Sequence, residues 1–328
     1  RTMDFTGRII DLMKKNMQSF ISGEVLSREL GITRSAVWKR VKGLRTQGYI
    51  IEASPSKGYR LLSIPDILSS KEIKDSINCS IQIIGKEVYV FQEIDSTNIK
   101  GMELGDKGYS EGTIILAETQ NMGKGRLGRS WISPKGNIYL SVILRPDILP
   151  SQAPLITLMA AVASASALRN AFNIGVYIKW PNDLLINSKK VGGILTEMKS
   201  EIERINYIVL GIGVNVNMDS SLFPPDVRVN ATTLKESVGR ELPRIEVISV
   251  LLKELDKWYK IFLNKGSGPV FDEWRRLSPS LGKRIKVMSL NRIIEGIAEG
   301  LDDYGGLIVR LDDGKTEKVV SGDVTVIN

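Results

Sequence analysis

The N-terminal part of the chain places apolar residues at the three- and four-residue spacing of α-helices. Three helices are predicted: over residues 5–15, over Gly23–Leu30, and from an N-cap at Thr33 to about Gln47. Gly31 lies in the short turn before the third helix, which is the pattern of a helix-turn-helix. The side chains expected to face inward are Phe5, Ile9, Ile10, Leu12, Met13, Val25, Leu26, Leu30, Val37, Val41 and Leu44.

The periodicity changes after Gly48. Residues 49–53 and 59–62 have the pattern of short β-strands, and the Pro- and Gly-containing segment 54–58 between them predicts a hairpin turn. A helix-turn-helix followed by a hairpin predicts a winged helix. Such a domain binds DNA in one interpretation and serves only as a protein–protein module in another. Residues 63–66 are typical of a linker.

Beyond about residue 84, strand patterns are mixed with helical ones. The predicted strands are Val88–Glu93, Gly112–Glu118, Ile138–Leu144, Tyr177–Trp180, Leu184–Ile186, Val191–Met198 and Tyr207–Val214. Helices are predicted from about Asn98, within Pro150–Asn173, and over about Ile245–Leu263. This alternation predicts an α/β or α+β domain built on a sizeable sheet.

The last fifty residues contain only strand patterns, separated by Gly- and Asp-rich turns. The predicted strands are Ile285–Ser289, Ile293–Leu301, Leu307–Leu311, Glu317–Val320 and Val324–Ile327. A small β-barrel accounts for them. The chain is therefore expected to be an α+β multidomain protein, with domains at 1–63, 64–278 and 279–328.

Composition narrows the chemistry that this chain can perform. The 328 residues contain no histidine and one cysteine, Cys79, which excludes a Ser-His-Asp triad, a His-paired thiol nucleophile, a His-ligated zinc and any disulfide within the chain. Catalysis must use Lys, Arg, Asp, Glu, backbone amides or a metal held by oxygens. A reducing cytoplasm fits best. The charged start (Arg1, Asp4, Arg8) is not that of a signal peptide, and no apolar run approaches the roughly 20 residues of a membrane span.

The net charge of +8 is concentrated at one end: residues 1–63 carry +7, and the other 265 residues carry +1. A basic excess confined to a small domain indicates a polyanion-binding surface; a solvated basic face is the alternative. The predicted third helix has five basic residues and no acid, as a major-groove recognition helix should. The expected DNA contacts are Arg34, Ser35, Lys39, Arg40 and, at the hairpin tip, Lys57.

Residues 123–129 read Gly-Lys-Gly-Arg-Leu-Gly-Arg, a loop whose amides and cations can both reach a phosphate. The spacing matches the dinucleotide fingerprint and nearly matches a P-loop, but both motifs require a helix at the end of the loop. Here the residues after Trp131 lead into a strand instead. A flexible basic loop that folds over a bound nucleotide is favoured over a plain glycine-rich hairpin.

In a second cluster, Lys-Trp-Pro-Asn-Asp at 179–183, Asp183 follows a predicted strand and a proline that blocks a helix, so its carboxylate is expected to point into a cleft. Lys190 lies seven residues further on, before Gly192 and Gly193, which permit close approach of a ligand. An Asp near a Lys can hold Mg²⁺ and neutralise phosphate charge. A surface salt bridge beside a glycine bulge remains the alternative. The third cluster is Gly-Ile-Gly-Val-Asn-Val-Asn at 211–217.

These segments together resemble the biotin protein ligase family, specifically its bifunctional ligase–repressors. The Gly-Lys-Gly-Arg-x-Gly-Arg-x-Trp loop, Lys-Trp-Pro-Asn-Asp, Lys-x-Gly-Gly-Ile-Leu and Gly-Ile-Gly-x-Asn occur in the family's order and spacing, and the resemblance covers essentially the whole chain. One departure is Lys124, where arginine is also common; lysine keeps the charge but loses the bidentate fork. The resemblance implies a central mixed-sheet domain of the biotin/lipoate ligase type and an SH3-like C-terminal barrel.

The resemblance also implies a two-step reaction: biotin and MgATP give biotinyl-5′-AMP, and a lysine of a biotin carboxyl carrier domain then takes the biotinyl group. Ser96, Thr97, Asn98 and Gln120 are implied to contact biotin, and Lys124, Gly125 and Arg126 to close over biotin and phosphate. Trp131 is implied to stack near adenine, with Lys179, Asn182, Gly193 and Asn215 completing the nucleotide site. Lys190, Asp183 and Arg126 are the implied catalytic residues, and Asp183 the residue that holds Mg²⁺ or orients the attacking lysine.

The further partners implied are operator DNA and, with biotinyl-AMP bound, a second copy of the chain. Two other functions remain open. One is a ligand-sensing repressor whose ligase domain is inactive, although all the charged motif residues are present. The other is a lipoate-type ligase, which shares the central fold but lacks this winged helix.

Overall fold

The structure, a computed structural model, describes residues 4–77, 80–289 and 292–327. Cys79 and Arg1, on which two of the compositional expectations rest, lie outside the described residues. The chain forms two compact units, an N-terminal unit of Arg1–Ile67 and a C-terminal unit of Leu68–Asn328.

The N-terminal unit is a three-helix bundle with a β-hairpin. Its elements are α1 (Phe5–Lys15), α2 (Gly23–Leu30), α3 (Arg34–Thr46), β1 (Ile50–Ser54) and β2 (Gly58–Ser63), with β1 and β2 antiparallel. Ser22 and Thr33 cap α2 and α3: each side-chain hydroxyl accepts a hydrogen bond from a first-turn amide, and Gly31 ends α2 in the left-handed conformation. This is the winged helix-turn-helix predicted from the sequence.

A small apolar core holds this unit together. It contains Ile9, Met13, Leu26, Leu30, Val37, Val41, Leu44, Ile51 and Leu61, with Phe5, Ile10 and Leu12 packed against it. The prediction that Val25 faces inward is wrong, because its side chain is 37% exposed. Leu26 and Leu30, four residues apart, define the buried stripe of α2, and Val25 lies about 100° around the helix from Leu26.

A seven-stranded sheet forms the centre of the C-terminal unit. Its strands are β3 (Val88–Ile94), β4 (Ile114–Gln120), β5 (Ile138–Leu144), β6 (Val176–Lys179), β7 (Asp183–Ile186), β8 (Lys189–Ser200) and β9 (Ile205–Val214). They lie in the order β3-β4-β5-β9-β8-β7-β6; β3 and β4 are parallel and the other neighbours antiparallel. The sheet is mixed, as the resemblance implied.

Helices cover this sheet. They are α4 (Ser70–Ile77), α5 (Thr97–Asp106), α6 (Ala153–Phe172), α7 (Pro225–Arg228), α8 (Leu234–Val238), α9 (Arg244–Lys265) and α10 (Gly268–Leu277). The helical segment Pro150–Phe172 is long and apolar enough to span a membrane, but 72% of its most apolar window is buried inside the protein. It packs against α9 and β8, so it is the central helix of the core.

Five antiparallel strands form the last part of the chain, in the order β13-β12-β11-β10-β14. They are β10 (Arg284–Ser289), β11 (Arg292–Leu301), β12 (Leu307–Arg310), β13 (Thr316–Val319) and β14 (Asp323–Val326). This sheet shares an apolar core with the seven-stranded one. The buried Trp180 indole N–H donates a hydrogen bond to the Gly305 carbonyl at 2.9 Å, which ties the two sheets together at the edge of the Lys-Trp-Pro-Asn-Asp motif.

Candidate active site

The central cleft lies where the strand ends of the seven-stranded sheet meet the glycine-rich loop 123–129 and β14. The predicted site residues that line it are Ser96, Thr97, Asn98, Gln120, Lys124, Gly125, Arg126, Trp131, Asn182, Asp183, Lys190 and Gly193. Segments almost a hundred residues apart in sequence are thus brought together. Of the predicted site residues in the C-terminal unit, Lys179 and Asn215 do not line the cleft.

Hydroxyl and amide side chains form a connected network at one end of the cleft. The backbone N–H of Thr97 donates to the Gln120 side-chain oxygen at 2.8 Å, and the Gln120 amide donates to the Ser133 hydroxyl at 2.9 Å. The buried Ser141 hydroxyl bridges the Thr97 hydroxyl and the Asn98 side-chain oxygen at 2.8 and 2.7 Å. Since each group is fixed by another, this end presents oriented donors and acceptors.

Two glycines on adjacent strands leave space for the Trp131 ring. A Cβ atom at Gly213 would come within 2.8 Å of the indole, and one at Gly193 within 3.3 Å. The sequence suggested that glycines here admit a ligand; in the structure they admit Trp131, and Gly192 instead allows close approach to the Gly213 carbonyl. The Trp131 indole N–H is buried without a hydrogen-bond partner. A buried donor of this kind is ready to bind a polar ligand atom.

Lys190 and Asp183 form an ion pair in the cleft. The Lys190 ammonium lies 2.7 Å from an Asp183 carboxylate oxygen and 5.2 Å from the centre of the Trp131 ring. Asp183 is the first residue of β7 and Lys190 the second residue of β8, and these antiparallel strands bring the two residues close together. The Lys190 backbone is fixed as well, because its N–H donates to Asn230 and its carbonyl accepts from Thr232.

Arg126 reaches from the glycine-rich loop across the cleft. Its guanidinium donates to the Asn182 side-chain oxygen and to the Ser321 hydroxyl, each at 3.2 Å. Burial lowers the pKa of this guanidinium, while the nearby charges of Asp323 and Asp183 oppose that effect. A guanidinium remains charged in either case, so Arg126 is a partly desolvated cation facing the cleft.

The C-terminal strands contribute to the cleft through residues that the sequence analysis did not single out. Asp323, at the start of β14, lines the cleft and forms an ion pair with Arg129 of the loop. Burial raises the pKa of Asp323, but hydrogen bonding to Arg129 and its charge lower it more, so its pKa lies below the usual range. A local sequence pattern cannot predict a contact between residues that are 194 positions apart.

Glu197 on β8 is a second residue that the sequence did not single out. One carboxylate oxygen accepts from the Asn98 side-chain amide at 2.8 Å, and the other lies 3.2 Å from the Lys124 ammonium. It therefore connects the polar end of the cleft to the glycine-rich loop. Glu197 shares a face of β8 with Gly193 and Leu195, which line the cleft, so the alternation along this strand is the sequence signal that could have indicated it.

The glycine-rich loop narrows the cleft, which has a volume of about 120 Å³. Ligand pockets are commonly about 300–1,000 Å³. A second cleft of about 730 Å³ borders the same loop and is lined by many of the same residues. A ligand of nucleotide size exceeds the smaller volume, so it must extend into the second cleft or displace the loop.

The Asp183 carboxylate suits a magnesium ion that arrives with a nucleotide. Within the described residues, no group of three or more Asp, Glu, His or Cys side chains could hold a metal ion alone. Mg²⁺ commonly takes one or two carboxylates and completes its coordination with phosphates and water. Asp183 can be such a carboxylate.

Lys179 and Asn215 serve other contacts. The Asn215 carboxamide, buried, donates to the Thr232 carbonyl at 3.1 Å, and its backbone N–H donates to Val191 at 2.8 Å. It thereby holds the loop that contacts the Lys190 backbone. Lys179 ends β6 opposite Asp183, and its charge helps to lower the pKa of Asp323.

The fold and the cleft define a class, that of cofactor–protein ligases. Residues 90–215 match the family described as Biotin/lipoate A/B protein ligase family, residues 280–326 match the Biotin protein ligase C terminal domain, and residues 8–60 match an HTH domain. The chain belongs to the biotin protein ligase family and aligns over almost its full length with bifunctional members.

Two curated relatives and one solved structure illustrate the similarity to this family. The chain is 38% identical to "Bifunctional ligase/repressor BirA" of Bacillus spizizenii, covering 96% of this chain and 97% of that protein. It is 32% identical to the protein of the same description in Escherichia coli, covering 94% and 93%. The structure of a biotin protein ligase from Aquifex aeolicus in complex with biotin and ATP matches with a TM-score of 0.64 at 30% identity, covering 74% of this chain and 99% of that one.

Proposed function

We propose that this protein is an ATP-dependent biotin protein ligase that also represses transcription in response to biotin. The observation that carries the proposal is the meeting, in one cleft, of a hydroxyl–amide pocket, a cationic loop and the Asp183–Lys190 pair. Domains at 1–63, 64–278 and 279–328 divide these tasks.

In the first step, an oxygen of the biotin carboxylate attacks the α-phosphorus of ATP and the bond to the β-phosphate breaks, releasing pyrophosphate. Ser96, Thr97, Asn98 and Gln120 hold the ureido ring through their hydroxyl and amide groups. Charge accumulates on the phosphate oxygens in the transition state, where fixed cations are most effective. Lys190 and Arg126 supply the compensating positive charge, and Lys124 and Gly125 close over the anhydride.

Trp131, Asn182 and Gly193 contact the nucleotide, whereas Lys179 and Asn215 act through the residues beside it. Asp183 would hold the magnesium ion that accompanies ATP, and that ion would neutralise phosphate charge when bound. Binding of the nucleotide would exchange the partners of the Asp183–Lys190 ion pair. The phosphate would pair with Lys190, and the magnesium ion would pair with Asp183. The paired state keeps both groups in position until the nucleotide arrives.

In the second step, the amine of a lysine on a biotin carboxyl carrier domain attacks the biotinyl carbonyl carbon. The carbon–oxygen bond to AMP breaks, and an amide forms with loss of a proton. Because the mixed anhydride hydrolyses in water, the loop that narrows the cleft also protects it.

The N-terminal unit supplies the repressor function. Arg34, Ser35 and Lys39 are exposed on α3, Lys57 is at the hairpin turn, and Arg40 is half-buried beside Phe5. One winged helix makes few contacts, so we propose that two copies bind a two-fold operator. Biotinyl-AMP promotes the dimer by ordering the loop. Both functions belong in the cytoplasm, where DNA and ATP are present.

ATP–pyrophosphate exchange with biotin, lipoate or octanoate as the acid tests the enzymatic proposal. Exchange with biotin alone is expected. Exchange with lipoate or octanoate instead would establish a lipoate-type ligase. Absence of exchange with every acid, by folded protein that still binds biotin, would leave a ligand-sensing repressor.

A further inference from the structure

Trp38 is the largest apolar side chain exposed on the described part of the N-terminal unit. Its side chain is 56% exposed. Tryptophan is seldom left so accessible, because burying its ring is favourable by several kilocalories per mole. The position therefore needs an explanation other than packing within this unit.

The helix geometry places Trp38 in the middle of a basic surface. At 100° per residue, Arg34, Trp38 and Lys42 follow one another along one stripe of α3, and Ser35 and Lys39 form the next stripe. All five are exposed, and α3 contains no acid. The Lys42 ammonium lies 5.4 Å from the centre of the Trp38 ring, a cation–π arrangement that holds the ring among the charges.

The opposite side of α3 forms the core. Val37, Val41 and Leu44 are buried, and Thr33 caps the first turn. The Trp38 ring is not part of this core, so the core does not depend on it.

We propose that Trp38 is a specificity-determining residue that contacts bases in the DNA major groove, with the C5-methyl group of a thymine as its partner. The inference rests on the proposed DNA-binding function. A cationic helix without acids is complementary to a polyphosphate and fits a groove about 12 Å wide. The three cations and the hydroxyl around Trp38 can bind phosphates of any sequence, whereas an apolar ring distinguishes bases by their methyl groups.

The test begins with selection from a random duplex library by the full-length wild-type protein with biotin and ATP. Trp38→Ala, Trp38→Phe, Lys39→Ala and Met17→Ala are then titrated with the selected duplex and with random duplex. Met17 is the control, since its side chain is exposed at the end of α1, off the basic surface. Thermal unfolding verifies that each variant is folded.

Trp38→Ala should weaken binding to the selected duplex about tenfold, leave random-duplex affinity unchanged, and preserve the slope of log affinity against log salt. Lys39→Ala should weaken both duplexes and lower that slope by about one. Met17→Ala should change neither, and Trp38→Phe should retain part of the discrimination.

Replacing single thymines of the selected site by uracil gives the decisive comparison. At one position, the loss of the methyl group should weaken the wild type about fourfold and have no effect on Trp38→Ala. If Trp38→Ala binds the selected duplex as the wild type does, or if every uracil substitution affects both proteins equally, the inference is overturned. If the wild type selects no sequence at all, the DNA-binding proposal itself fails.

Discussion

Residues of this site are held in place by other segments of the chain, and Lys190 is one case. Its backbone is fixed on both sides by the segment 230–232, while its ammonium remains in the cleft beside Asp183. A lysine held in this way keeps its charge at one position, which is what a developing phosphate anion requires.

We expect Lys190→Ala to abolish biotinyl-AMP formation without unfolding the protein, because the backbone contacts of Lys190 do not use its side chain. Purified variants would be compared by adenylate formation in a single turnover. Lys189→Ala is the matched control, since Lys189 is the exposed neighbour on β8. Adenylate formation by Lys190→Ala within a few-fold of wild type would contradict the assigned role.

A second prediction at this scale concerns Asp256, a carboxylate with 1% exposure on α9. It accepts hydrogen bonds from the backbone amides of Ile83 and Ile84 at 2.8 and 3.0 Å, and it pairs with Lys260. Burial raises its pKa, but these amides and Lys260 lower it more, so the pKa lies below that of an ordinary aspartate. Because the pKa is lower in the folded state, the ionised carboxylate stabilises the fold above the unfolded-state pKa, and this contribution is lost as pH falls through the folded-state pKa.

Asp256→Asn should therefore lower the free energy of unfolding at pH 7 by about 1–3 kcal/mol. The difference from wild type should shrink as the pH is lowered below about 4. Denaturant titrations at pH 7, 5 and 3.5 would measure it, with Lys257→Ala, on the exposed side of the same helix, as the control. A difference that stayed constant down to pH 3.5 would show that ionisation of Asp256 is not the cause.

At the scale of elements, sequence periodicity predicts structure only where an element is long enough to show it. The long helices α6 and α9 and the central strands were predicted to within about two residues, while α4, α7, α8 and α10 were missed. Segments such as α7, with four residues, are too short for a helical period to appear. In α10 the signal was present, since Val270, Trp274 and Leu277 are spaced as on a helix and are buried.

The residues of the site also fall into those that the sequence predicted and those that it did not. Residues within motifs were predicted, because glycines, cations and amides at fixed spacing carry local information. Glu197 and Asp323 were not, because each meets its partner only after the chain has folded, across 73 and 194 residues respectively.

The glycine-rich loop is the element whose conformation we expect to control release of the adenylate. A Cβ atom at Gly123 would come within 2.3 Å of the Trp131 carbonyl and 2.5 Å of the Ser133 hydroxyl. Gly123→Ser should therefore prevent the loop from closing and raise the rate at which biotinyl-AMP escapes into solution. Rapid filtration of enzyme loaded with labelled adenylate would measure that rate. Met122→Ala, at the exposed neighbour, should release it at the wild-type rate; equal rates for Gly123→Ser would argue against the lid.

At the scale of the whole molecule, the two compact units separate the chemistry from the basic surface. Every motif residue of the ligase lies beyond residue 95, and the basic excess lies before residue 64. Leu68, the first residue of the C-terminal unit, donates its N–H to Glu118, which forms a buried ion pair with Arg244. A truncation should preserve this anchor.

Deletion of residues 1–63 should eliminate DNA binding and leave adenylate formation intact. The full-length protein should lose affinity for DNA steeply as salt rises, since bound counterions are released when phosphates are neutralised. Gel-shift titrations between about 50 and 200 mM salt and pyrophosphate exchange by both proteins would show this. Retention of DNA binding by the truncated protein would place that surface elsewhere.

The last prediction joins the two functions through self-association. Met122, next to the loop, and Leu127, within it, are 60% and 50% exposed, so an ordered loop would present apolar surface that a second copy can cover. Biotin with ATP should therefore shift sedimentation towards a dimer and tighten operator binding. Equal dimerisation and equal operator affinity with and without the two substrates would contradict the coupling.

Ion pairing within the cleft has a consequence for selectivity among the anions of a cell. Lys124, Arg129 and Lys190 are each paired with a carboxylate of the chain, namely Glu197, Asp323 and Asp183. Chloride or inorganic phosphate would have to displace a tethered carboxylate to gain one cation, and the displaced carboxylate would remain close by and repel it. A triphosphate accompanied by magnesium replaces both partners of an ion pair. Its phosphate oxygens pair with the cation, and its magnesium ion pairs with the displaced carboxylate. At these three cations, the ion pairs therefore disfavour the binding of small anions, however abundant they are.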